Sequence, residues 1–338
     1  VVEDAAAQIC SFYLVPEDRQ ALPAFLPGQF LTFQLEPTTA GKAQSIIRCY
    51  SLSDAPQTDR YRITVKRAPA PQDSPFPAGV SSNYLHDHVQ VGSRLQVRAP
   101  AGHFHIDRSD APVVLMGGGI GITPMLSMLN WCLTEQPGRE VWLFYGVRNQ
   151  DELVMQQPLG DLAKQHPNLH LHVCISHAAS IALEPQPSDS FHVHACRVGV
   201  ELLRQWLPLK PYHFYICGPT PMMETLVPAL DDWGVPDDRI HFEAFGPASI
   251  KRPQKLGDSQ ASTGESNILV TFAKSGKTQY RPSVAYGMSL MHDDCGFCLA
   301  CGNDQHGVEP DARQYTCDHC GESKVYGIEE LALRGLLF

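Results

Sequence analysis

Two hydrophobic patterns divide the first 247 residues of the chain. Up to about residue 108, short β-rich segments such as ICSFYLVP, QFLTFQL, RYRITVKR and SRLQVRAP alternate with turn signals. Several short strands at this spacing predict an antiparallel barrel. From Ala111 onward, near-continuous apolar segments such as PVVLMGG and EVWLFYG alternate with helical patterns. That alternation predicts βαβ units around a parallel sheet.

The pattern changes again after this α/β region. Residues 248–266 are polar and rich in Ser, Gly and Pro, a composition typical of a linker. Residues 267–338 contain five of the eleven cysteines of the chain. We therefore expect a third, small and cysteine-rich domain that binds a metal.

Composition narrows the function classes. The chain has 338 residues and a formal net charge of −10, which argues against nucleic acid or an anionic membrane as a partner. Residues 111–133 lack charge and are long enough for a membrane helix, but Gly117, Gly118, Gly119, Gly121 and Pro124 interrupt them. A buried strand, a glycine loop and a helix start explain this stretch better.

Cysteine usage and the first residue lead to two further expectations. The six cysteines before Cys295 are scattered singly, and no signal peptide is apparent, so we expect a reducing, cytoplasmic compartment. The chain starts at Val1 as if already inside a strand, so we expect that a segment is missing upstream.

The glycine loop LMGGGIGITPML follows a predicted strand and opens a predicted helix. Glycines let backbone N–H groups approach a phosphate, and a helix N-terminus adds a favourable dipole. Pro124 suits the first helical turn, where its missing N–H costs nothing. The spacing differs from G-x-G-x-x-G, and a tight strand-to-helix turn is the alternative interpretation. The loop alone indicates the phosphate of some nucleotide.

A second nucleotide signal is IIRCYSLSDAP in the barrel region. Arg48 offers a fixed fork of donors for a diphosphate. Tyr50 has a flat face that could stack on a ring, and Ser51 could hydrogen-bond the edge of that ring. A surface strand with an aromatic residue and a salt-bridging arginine is the alternative.

Six motifs in order resemble those of the ferredoxin–NADP reductase family. They are PGQF, RCYSLS, GVSSNYLHD, the glycine loop, YICGP and HFEAFGP, and they span residues 1–247. Within that family, the sequence pattern most resembles the reductase portions of flavohaemoglobins and of oxygenase electron-transfer components. The resemblance implies an antiparallel flavin-binding β barrel over 1–108 and a parallel-sheet NAD(P)-binding α/β domain over 109–247. It also implies electron flow from NAD(P)H through FAD, rather than FMN, to a partner such as an oxygenase, a haem protein or an iron–sulfur protein.

The same resemblance implies roles for individual residues. The flavin would contact Arg48, Tyr50, Ser51, Leu52, Val65, Lys66, Arg67, Gly79, Ser82 and Phe245. The nicotinamide dinucleotide would contact Gly118, Gly119, Gly121, Thr123, Cys217, Gly218 and Pro219. Tyr50, Ser51, Cys217 and Glu243 would lie closest to the transferred hydride, and none of them acts as an acid or base. Cys217 is expected to be a small buried hydrophobe rather than a redox-active thiol.

Two details of the nucleotide region depart from the family or leave a choice open. Cys196 stands in CRVG, next to the expected dinucleotide contacts, where relatives tend to have glycine. Arg148 and Arg197 could serve the 2′-phosphate of NADPH, or could equally be solvated surface residues. The polar segment 149–152 gives no phosphate-friendly cluster, which favours NADH.

The cysteine-rich tail fits two metal patterns unequally. NILVTFAKSGKTQYRP (267–282) resembles the first hairpin of a plant-type [2Fe–2S] ferredoxin, but the position of the first ligand is Leu290. Two C-x-x-C-G knuckles separated by 15 residues resemble a zinc ribbon, with Cys298, Cys301, Cys317 and Cys320 as ligands. A [2Fe–2S] cluster using Cys295, a single rubredoxin-like iron, and no metal remain alternatives. His292, His306 and His319 are weaker candidate ligands.

The sequence thus predicts a flavin-dependent NAD(P)H oxidoreductase with a metal-binding tail. From Met288 the tail resembles a complete small zinc-ribbon protein, so one hypothesis joins a truncated reductase–ferredoxin to an unrelated ribbon. A non-catalytic interaction protein, with a degenerate reductase scaffold and a partner-binding ribbon, is the alternative.

Overall fold

The computed structural model of the protein describes most of the chain in two compact units, Val1–Glu243 and Ala244–Phe338. The described residues are 2–6, 8–39, 42–43, 45–70, 77–177, 190–245, 267–271, 278–282, 295–309, 311–334 and 336. The predicted linker (248–266), Leu290 and His292 lie outside them.

The first unit begins with a set of short antiparallel strands. These are β1 (Val2–Ala6), β2 (Ile9–Leu14), β3 (Phe30–Leu35), β4 (Thr38–Thr39), β5 (Lys42–Ala43), β6 (Ile46–Ser51), β7 (Tyr61–Lys66) and β8 (Gln96–Val97), with helix α1 (Val80–His88) before β8. They form sheets in the orders β1-β2-β7, β6-β3-β8 and β4-β5. A bridge between Leu52 and Ile63 links the two three-stranded sheets, as the predicted barrel requires.

The barrel core explains why these segments form strands. β7 carries apolar and β-branched residues, and its first five residues are all buried. Phe12, Leu31, Phe33, Ile63 and Leu85 fill the interior and are each at most 2% exposed. The barrel predicted from short apolar segments is confirmed.

A parallel sheet follows in the same unit. Its strands are β9 (Val113–Gly118), β10 (Val141–Val147), β11 (Leu169–Ile175), β12 (Phe191–His194), β13 (His213–Gly218) and β14 (Ile240–Ala244), in the order β12-β11-β10-β9-β13-β14. The helices are α2 (Ile122–Glu135), α3 (Gln156–Gln165), α4 (Val200–Trp206) and α5 (Thr220–Asp232). β9 to β13 pair in parallel, so the predicted βαβ architecture is confirmed.

The uncharged stretch 111–133 forms β9, a one-turn 3₁₀ helix over Gly119–Gly121, and most of α2. This is the strand, loop and helix start expected from its glycines. Among the described helices, none has both the length and the apolar character needed to span a membrane.

A buried ion pair fixes the connection between barrel and parallel sheet. Arg139, with a side chain only 1% exposed, lies 2.6 Å from Asp107, and its Nε donates to the carbonyl of Ala111 at 2.7 Å. Burial raises the pKa of Asp107, but hydrogen bonds from Ser109 and Arg139 outweigh it and bring the pKa to about 2. The carboxylate therefore stays charged and keeps its charge-assisted bond to Arg139.

The second unit is small and mostly β. Strands β15 (Asn267–Thr271) and β16 (Thr278–Pro282) pair antiparallel, as expected for a hairpin. β17 (Cys295–Cys298), β18 (Asp304–His306), β19 (Tyr315–Thr316) and β20 (Ser323–Gly327) form a sheet in the order β18-β17-β20-β19, followed by helix α6 (Ile328–Leu333).

Candidate flavin, nucleotide and metal sites

Strand β6 displays the predicted flavin motif. Arg48 is exposed, and its Nη1 donates to the carbonyl of Ile47 at 2.6 Å. The ring of Tyr50 packs edge-on against Phe33 at 5.6 Å, and its hydroxyl lies 2.6 Å from the Oγ of Ser81. Burial raises the pKa of Tyr50, so the phenol is neutral at physiological pH. The Ser81 bond was not predicted, although Ser81 lies inside the quoted GVSSNYLHD motif.

Ser51 is the most informative residue of this strand. It is 5% exposed, and its Oγ finds no hydrogen-bond partner among the described residues. A buried hydroxyl without a partner costs about 1–3 kcal/mol and calls for a ligand or a water molecule. The polar edge of a flavin ring fits this need. Leu52, fully buried, continues the strand into the barrel core.

Two of the predicted flavin contacts at the end of β7, Lys66 and Arg67, form ion pairs. Lys66 Nζ lies 3.0 Å from Glu152, and Arg67 lies 2.7 Å from Asp87. The side chain of Val65 is 2% exposed and belongs to the barrel core, and its contact with the flavin stays a prediction.

Gly79 and Ser82 hold the N-terminus of α1 close to Ala68. A Cβ on Gly79 would lie 2.8 Å from the Cβ of Ala68, and the Oγ of Ser82 accepts from the amide of Ala68 at 3.2 Å. The Nδ2 of Asn83 donates to the carbonyls of Ala68 (2.8 Å) and Gly79 (2.6 Å). Asn83 was missed by sequence reasoning, which considered only its small neighbours. Because α1 has no acidic residue in its first turn, this end can accept an anion.

The glycine loop lies directly against the Cys217–Pro219 segment. β9 and β13 are parallel neighbours with Gly117 opposite Cys217. A Cβ on Gly121 would come within 2.3 Å of the Cys217 carbonyl oxygen, and one on Gly118 within 2.8 Å of Pro219. Only glycine permits this approach, so two predicted dinucleotide segments meet at the carboxyl edge of the sheet.

Gly119 and Thr123 contribute in different ways. Gly119 has φ +54°, and a Cβ there would meet no atom of the described residues within 4 Å. Thr123 is 2% exposed, and its Oγ1 donates to the carbonyl of Ile120 at 3.0 Å. The hydroxyl of Thr123 therefore fixes the loop from within.

Cys217 is fully buried, and burial together with the nearby charge of Glu243 raises the pKa of its thiol. The thiol is protonated, as expected of a small buried hydrophobe. Glu243 is half-buried at the end of the first unit. Phe245 belongs to the second unit and is 37% exposed.

Asp54 couples the two halves of the first unit, and sequence reasoning missed it. The Oγ of Ser127 on α2 donates to the Asp54 carbonyl at 2.7 Å, and the Nδ2 of Asn130 donates to its Oδ1 at 2.7 Å. Arg62 of β7 lies 3.5 Å from the same carboxylate. The helix that leaves the glycine loop is thus attached to the segment that follows the flavin motif.

The two candidate arginines for a 2′-phosphate differ. Arg197 is exposed. Arg148 forms a forked ion pair with Glu152, whose Oε1 and Oε2 accept from its Nε at 3.1 and 3.2 Å. Hydrogen bonds from Arg148 and Lys66 outweigh burial and lower the pKa of Glu152 to about 2. The guanidinium of Arg148 is therefore already paired with the charged carboxylate of Glu152.

The second unit brings the four predicted thiolate ligands together. The sulfur atoms of Cys298, Cys301, Cys317 and Cys320 all lie within 4.8 Å of one another. The Sγ atoms of Cys298 and Cys320 are 3.7 Å apart, and those of Cys301 and Cys317 are 3.6 Å apart. A tetrahedron with metal–sulfur bonds of about 2.3 Å has sulfur–sulfur edges of about 3.8 Å. One metal ion fits this arrangement.

Both knuckles use the same backbone geometry. Gly302 and Gly321 follow the second cysteine of each knuckle and have φ +78° and +76°. Each donates its amide to the carbonyl of the first cysteine, Cys298 or Cys317, at 2.9 Å. The glycines explain why each thiolate pair turns toward one point.

Cys295 lies outside the tetrad. It is three residues from Cys298 on β17, so the two side chains point to opposite faces. Cys295 packs with Phe297 and Tyr326, whereas Cys298 packs with Val308 and Val325. His319 is exposed, and the side chain of His306 is outside the described part of the chain.

Comparisons with known proteins agree with this geometry. Residues 5–106 match the oxidoreductase FAD-binding domain family, and residues 115–227 match the oxidoreductase NAD-binding domain family. The chain is 39% identical over 247 residues to a flavohemoprotein of Halalkalibacterium halodurans, covering 72% of this chain and 57% of the relative. It therefore spans less than two thirds of the length of that relative.

Solved structures extend the comparison. The flavohem-like FAD/NAD-binding domain of nitric oxide dioxygenase from Vibrio cholerae is 32% identical, with a TM-score of 0.61 over 73% of this chain and 96% of that domain. The cytochrome P450 reductase GcoB of Amycolatopsis is 25% identical, with a TM-score of 0.59 over 74% of this chain and 68% of that protein.

A barrel with a flavin motif and a parallel sheet with a glycine loop define an oxidoreductase with FAD-binding and NAD-binding domains. The chain belongs to the ferredoxin reductase-like family of such oxidoreductases, and flavohemoproteins are among its homologues. The resemblance inferred from its motifs is confirmed.

Proposed function

We propose that this protein is an NAD(P)H-dependent flavin oxidoreductase that passes electrons through FAD to an acceptor protein. The attachment of α2 to Asp54 carries the proposal, because it fixes the glycine loop relative to the flavin strand. Two stacked cofactor rings need such fixed geometry. We assign the flavin domain to residues 1–108, the NAD(P) domain to 109–247, the linker to 248–266 and the metal-binding tail to 267–338.

The bound flavin would accept two electrons and a proton from the nicotinamide and release the electrons singly. The chain supplies position and shielding for that chemistry. Ser51 offers its unpaired hydroxyl to the flavin edge, and Tyr50 offers a ring held by Phe33 and Ser81. Cys217 is fully buried and neutral at the strand end that would face the nicotinamide, and the charge of Glu243 acts on its thiol. A non-catalytic scaffold is not favoured, because both nucleotide sites keep their motifs.

The relatives support a class of electron acceptor, and cysteine usage supports a cellular compartment. GcoB is described as a cytochrome P450 reductase, and the relative from Halalkalibacterium halodurans is a flavohemoprotein. We propose a haem protein, an oxygenase or an iron–sulfur protein as the acceptor. None of the eleven cysteines is in a disulfide, which supports a reducing cytoplasm as the compartment.

We propose zinc as the metal of the tail. Four thiolates at mutual distances suited to one tetrahedral ion form a closed structural site. A [2Fe–2S] cluster binds its thiolates in pairs on two separate irons, which spreads the two pairs further apart. A single iron ion has the same geometry as zinc, so metal analysis must separate the two.

An absorption spectrum of the purified protein with metal analysis of the same sample tests the function. We expect flavin bands, bleaching of those bands by anaerobic NADH, and one zinc per chain. A protein without flavin, even after incubation with FAD, would overturn the oxidoreductase proposal. Two irons per chain with absorption beyond the flavin bands would replace zinc by a [2Fe–2S] relay.

Arg48→Ala should weaken FAD binding about 10- to 150-fold, because a charged hydrogen bond contributes about 1.5–3 kcal/mol. The guanidinium is exposed on the strand that carries the flavin motif, where its fork of donors suits a diphosphate. Equilibrium titration of the apoprotein with FAD measures the change. Arg94→Ala is the matched control, since Arg94 is exposed and forms an ion pair with Glu17, away from strand β6 in the sequence. Equal FAD affinity in both variants would contradict the role of Arg48.

Glu152→Gln should raise the preference for NADPH over NADH about tenfold, equal to about 1.4 kcal/mol. The Glu152 carboxylate has a pKa of about 2 and pairs with Arg148. Its negative charge would repel the 2′-phosphate of NADPH. Steady-state kcat/KM with each dinucleotide measures the ratio. Glu140→Gln is the control. Glu140 pairs with Lys210 and lies just before the first residue of β10, whereas Arg148 and Glu152 follow its last residue. An unchanged ratio in Glu152→Gln would show that Arg148 does not contact the 2′ position.

A further inference from the structure

Four histidines form a cluster on one face of the parallel sheet, close to its edge. His170 and His172 alternate along β11, and His192 and His194 alternate along β12, so each pair projects from one side of its strand. The ring centroid of His172 lies 5.0 Å from that of His192 and 5.2 Å from that of His194. β12 is the outermost strand on this side of the described sheet, and β11 is its neighbour. The histidine cluster therefore lines the attachment of the edge strand.

Aromatic rings from β10 and α4 enclose the histidine cluster. Phe144 of β10 stacks on His172 with ring centroids 4.5 Å apart. Trp206 of α4 lies 4.2 Å from the ring of His192 and 4.8 Å from that of His172. His172 is fully buried at the centre of these rings. Such surroundings solvate a charge poorly, so a protonated imidazole at this point is costly.

A hydrogen bond between two imidazole rings makes the attachment of β12 sensitive to protons. The Nδ1 of His172 lies 2.9 Å from the Nε2 of His194, so one nitrogen donates a proton and the other accepts it. The Nε2 of His172 is buried and has no hydrogen-bond partner among the described residues. A proton added at the accepting nitrogen breaks the bond, and a proton added elsewhere puts positive charge into the cluster. The pair is therefore stable only while it is neutral.

The buried position keeps three of these rings uncharged at neutral pH. Burial, and then the neighbouring imidazoles of His192, His194 and His170, lower the pKa of His172 to about 3. Burial likewise lowers the pKa of His170 and of His194. The hydrogen bond between β11 and β12 is thus made by neutral rings.

The charged residues of the elements around the cluster do not change this balance. Glu140, before β10, raises the pKa of His170 by its charge, and Lys210, before β13, lowers it. The two side chains pair with each other at 2.5 Å. The charged residues of α4, Glu201 and Arg204, are exposed. Among the described residues, burial and the contacts between rings therefore decide the charge of the cluster.

We propose that the histidine cluster is an acid-sensitive switch that holds β12 in the sheet at neutral pH and releases it at about pH 5. When β12 detaches, its rings and those of β11 are solvated and regain an ordinary pKa of about 6.5. Because the pKa is lower in the attached state, the attachment is most stable above about pH 6.5 and weakens as the pH falls. At pH 5, each ring that stays neutral when attached favours the detached strand about 30-fold.

Release of β12 would also move the segment that follows it toward α4. Val198 in this segment is 8% exposed, and a Cβ on Gly146 of β10 would lie 3.2 Å from its Cγ2. Val198 therefore packs near the carboxyl end of β10, and nucleotides bind at this edge of open parallel sheets. We expect the KM for NADH to rise at least about fivefold between pH 7 and pH 5, the lower end of typical coupling between two sites. This effect rests on the proposed function, whereas the switch itself does not.

Hydrogen exchange of the full-length holoprotein, followed by mass spectrometry, tests the switch. Amide protection of residues 190–195 is compared at pH 7 and pH 5, after correction for the pH dependence of intrinsic exchange. We expect this protection to fall at least about 30-fold at pH 5, while the central strand β9 keeps its protection. NADH kinetics with an artificial acceptor are measured on the same samples.

Three variants separate the histidine cluster from other effects of acid. His194→Gln keeps a polar group beside His172 but removes a titrating ring, so its loss of protection at pH 5 should be at least about tenfold smaller than in the native protein. His172→Gln removes the buried ring itself and provides a second test if either variant folds poorly. His166→Gln is the matched control, because His166 follows α3 in the same domain and lies outside the cluster. It should respond to acid like the native protein.

The outcomes separate the switch from the proposed function. Equal protection of residues 190–195 at both pH values, or loss of protection in β9 as well, would overturn a local switch. An undiminished acid response in both His194→Gln and His172→Gln would show that the cluster does not cause it. Release of β12 with an unchanged KM for NADH would overturn the effect on the dinucleotide. A native protein that never oxidises NADH would overturn the proposed function, while hydrogen exchange would still decide the switch.

Discussion

Replacing Gly121 with alanine should lower the rate of flavin reduction by NADH at least about 100-fold, the typical result of displacing a reacting group by about 1 Å. The new Cβ would lie 2.3 Å from the carbonyl oxygen of Cys217 and 2.7 Å from the amide nitrogen of Gly218. Both are backbone atoms in a buried contact, so the strand ends must separate. Anaerobic stopped-flow absorption of the flavin measures the rate.

The same change should leave the flavin in place. The barrel core and the β6 motif do not contain Gly121, so FAD content per chain should match the native protein. The free energy of unfolding should fall by about 1–3 kcal/mol, as is usual for overpacking. The expected pattern is a protein that carries flavin but accepts electrons slowly from NADH.

Gly160→Ala is the matched control. Gly160 lies within helix α3, and in the part of the chain that the structure describes an added Cβ would meet no atom within 4 Å. Alanine there should stabilise the protein by about 0.5–1 kcal/mol and leave flavin reduction unchanged. If Gly121→Ala reduced its flavin at the native rate, the glycine loop would not position the dinucleotide.

Local patterns were enough to predict the fold of the first unit. Apolar runs such as VVLMGG and VWLFYGV form central parallel strands because both faces of each strand are buried. The glycine loop was also predictable from local sequence. Gly121 has no Cβ, and the close backbone contact at this position requires a residue without one. Short β-rich segments marked the barrel strands, although SRLQVRAP forms only the two-residue strand β8.

Contacts between distant segments could not be predicted in this way. The bonds from Ser127 and Asn130 to Asp54 join residues 73 and 76 positions apart, and the bond from Tyr50 to Ser81 spans 31 positions. No local periodicity encodes such pairings, because they depend on how the barrel and the parallel sheet pack.

In the cysteine-rich tail, the metal tetrad could be predicted from local sequence, but the role of Cys295 could not. Two C-x-x-C-G knuckles predicted the tetrad, because each knuckle is a local turn that its glycine permits. The role of Cys295 was ambiguous in the sequence, where it stands three residues before Cys298. Strand geometry separates the two, since β17 directs Cys295 into a different hydrophobic cluster.

Cys317→Ser should abolish metal binding by the tail and unfold it. Structural zinc contributes an apparent binding free energy of about 10–16 kcal/mol in small zinc domains, and three thiolates no longer close the tetrahedron. Cys317 is 3% exposed within the cluster formed by Cys298, Val308 and Val325, so loss of the metal also exposes apolar surface. Metal content per chain should fall from one to near zero, and hydrogen exchange of residues 295–327 should become fast.

Cys295→Ser is the control that separates one metal ion from an iron–sulfur cluster. Its side chain packs away from the tetrad, so we expect one metal per chain and slow exchange in the tail, with a loss of packing energy only. Residues 1–243 form their own compact unit, so both variants should keep FAD and NADH oxidation with an artificial acceptor. If Cys295→Ser removed the metal as completely as Cys317→Ser, Cys295 would be a ligand and the single-ion tetrad would be wrong.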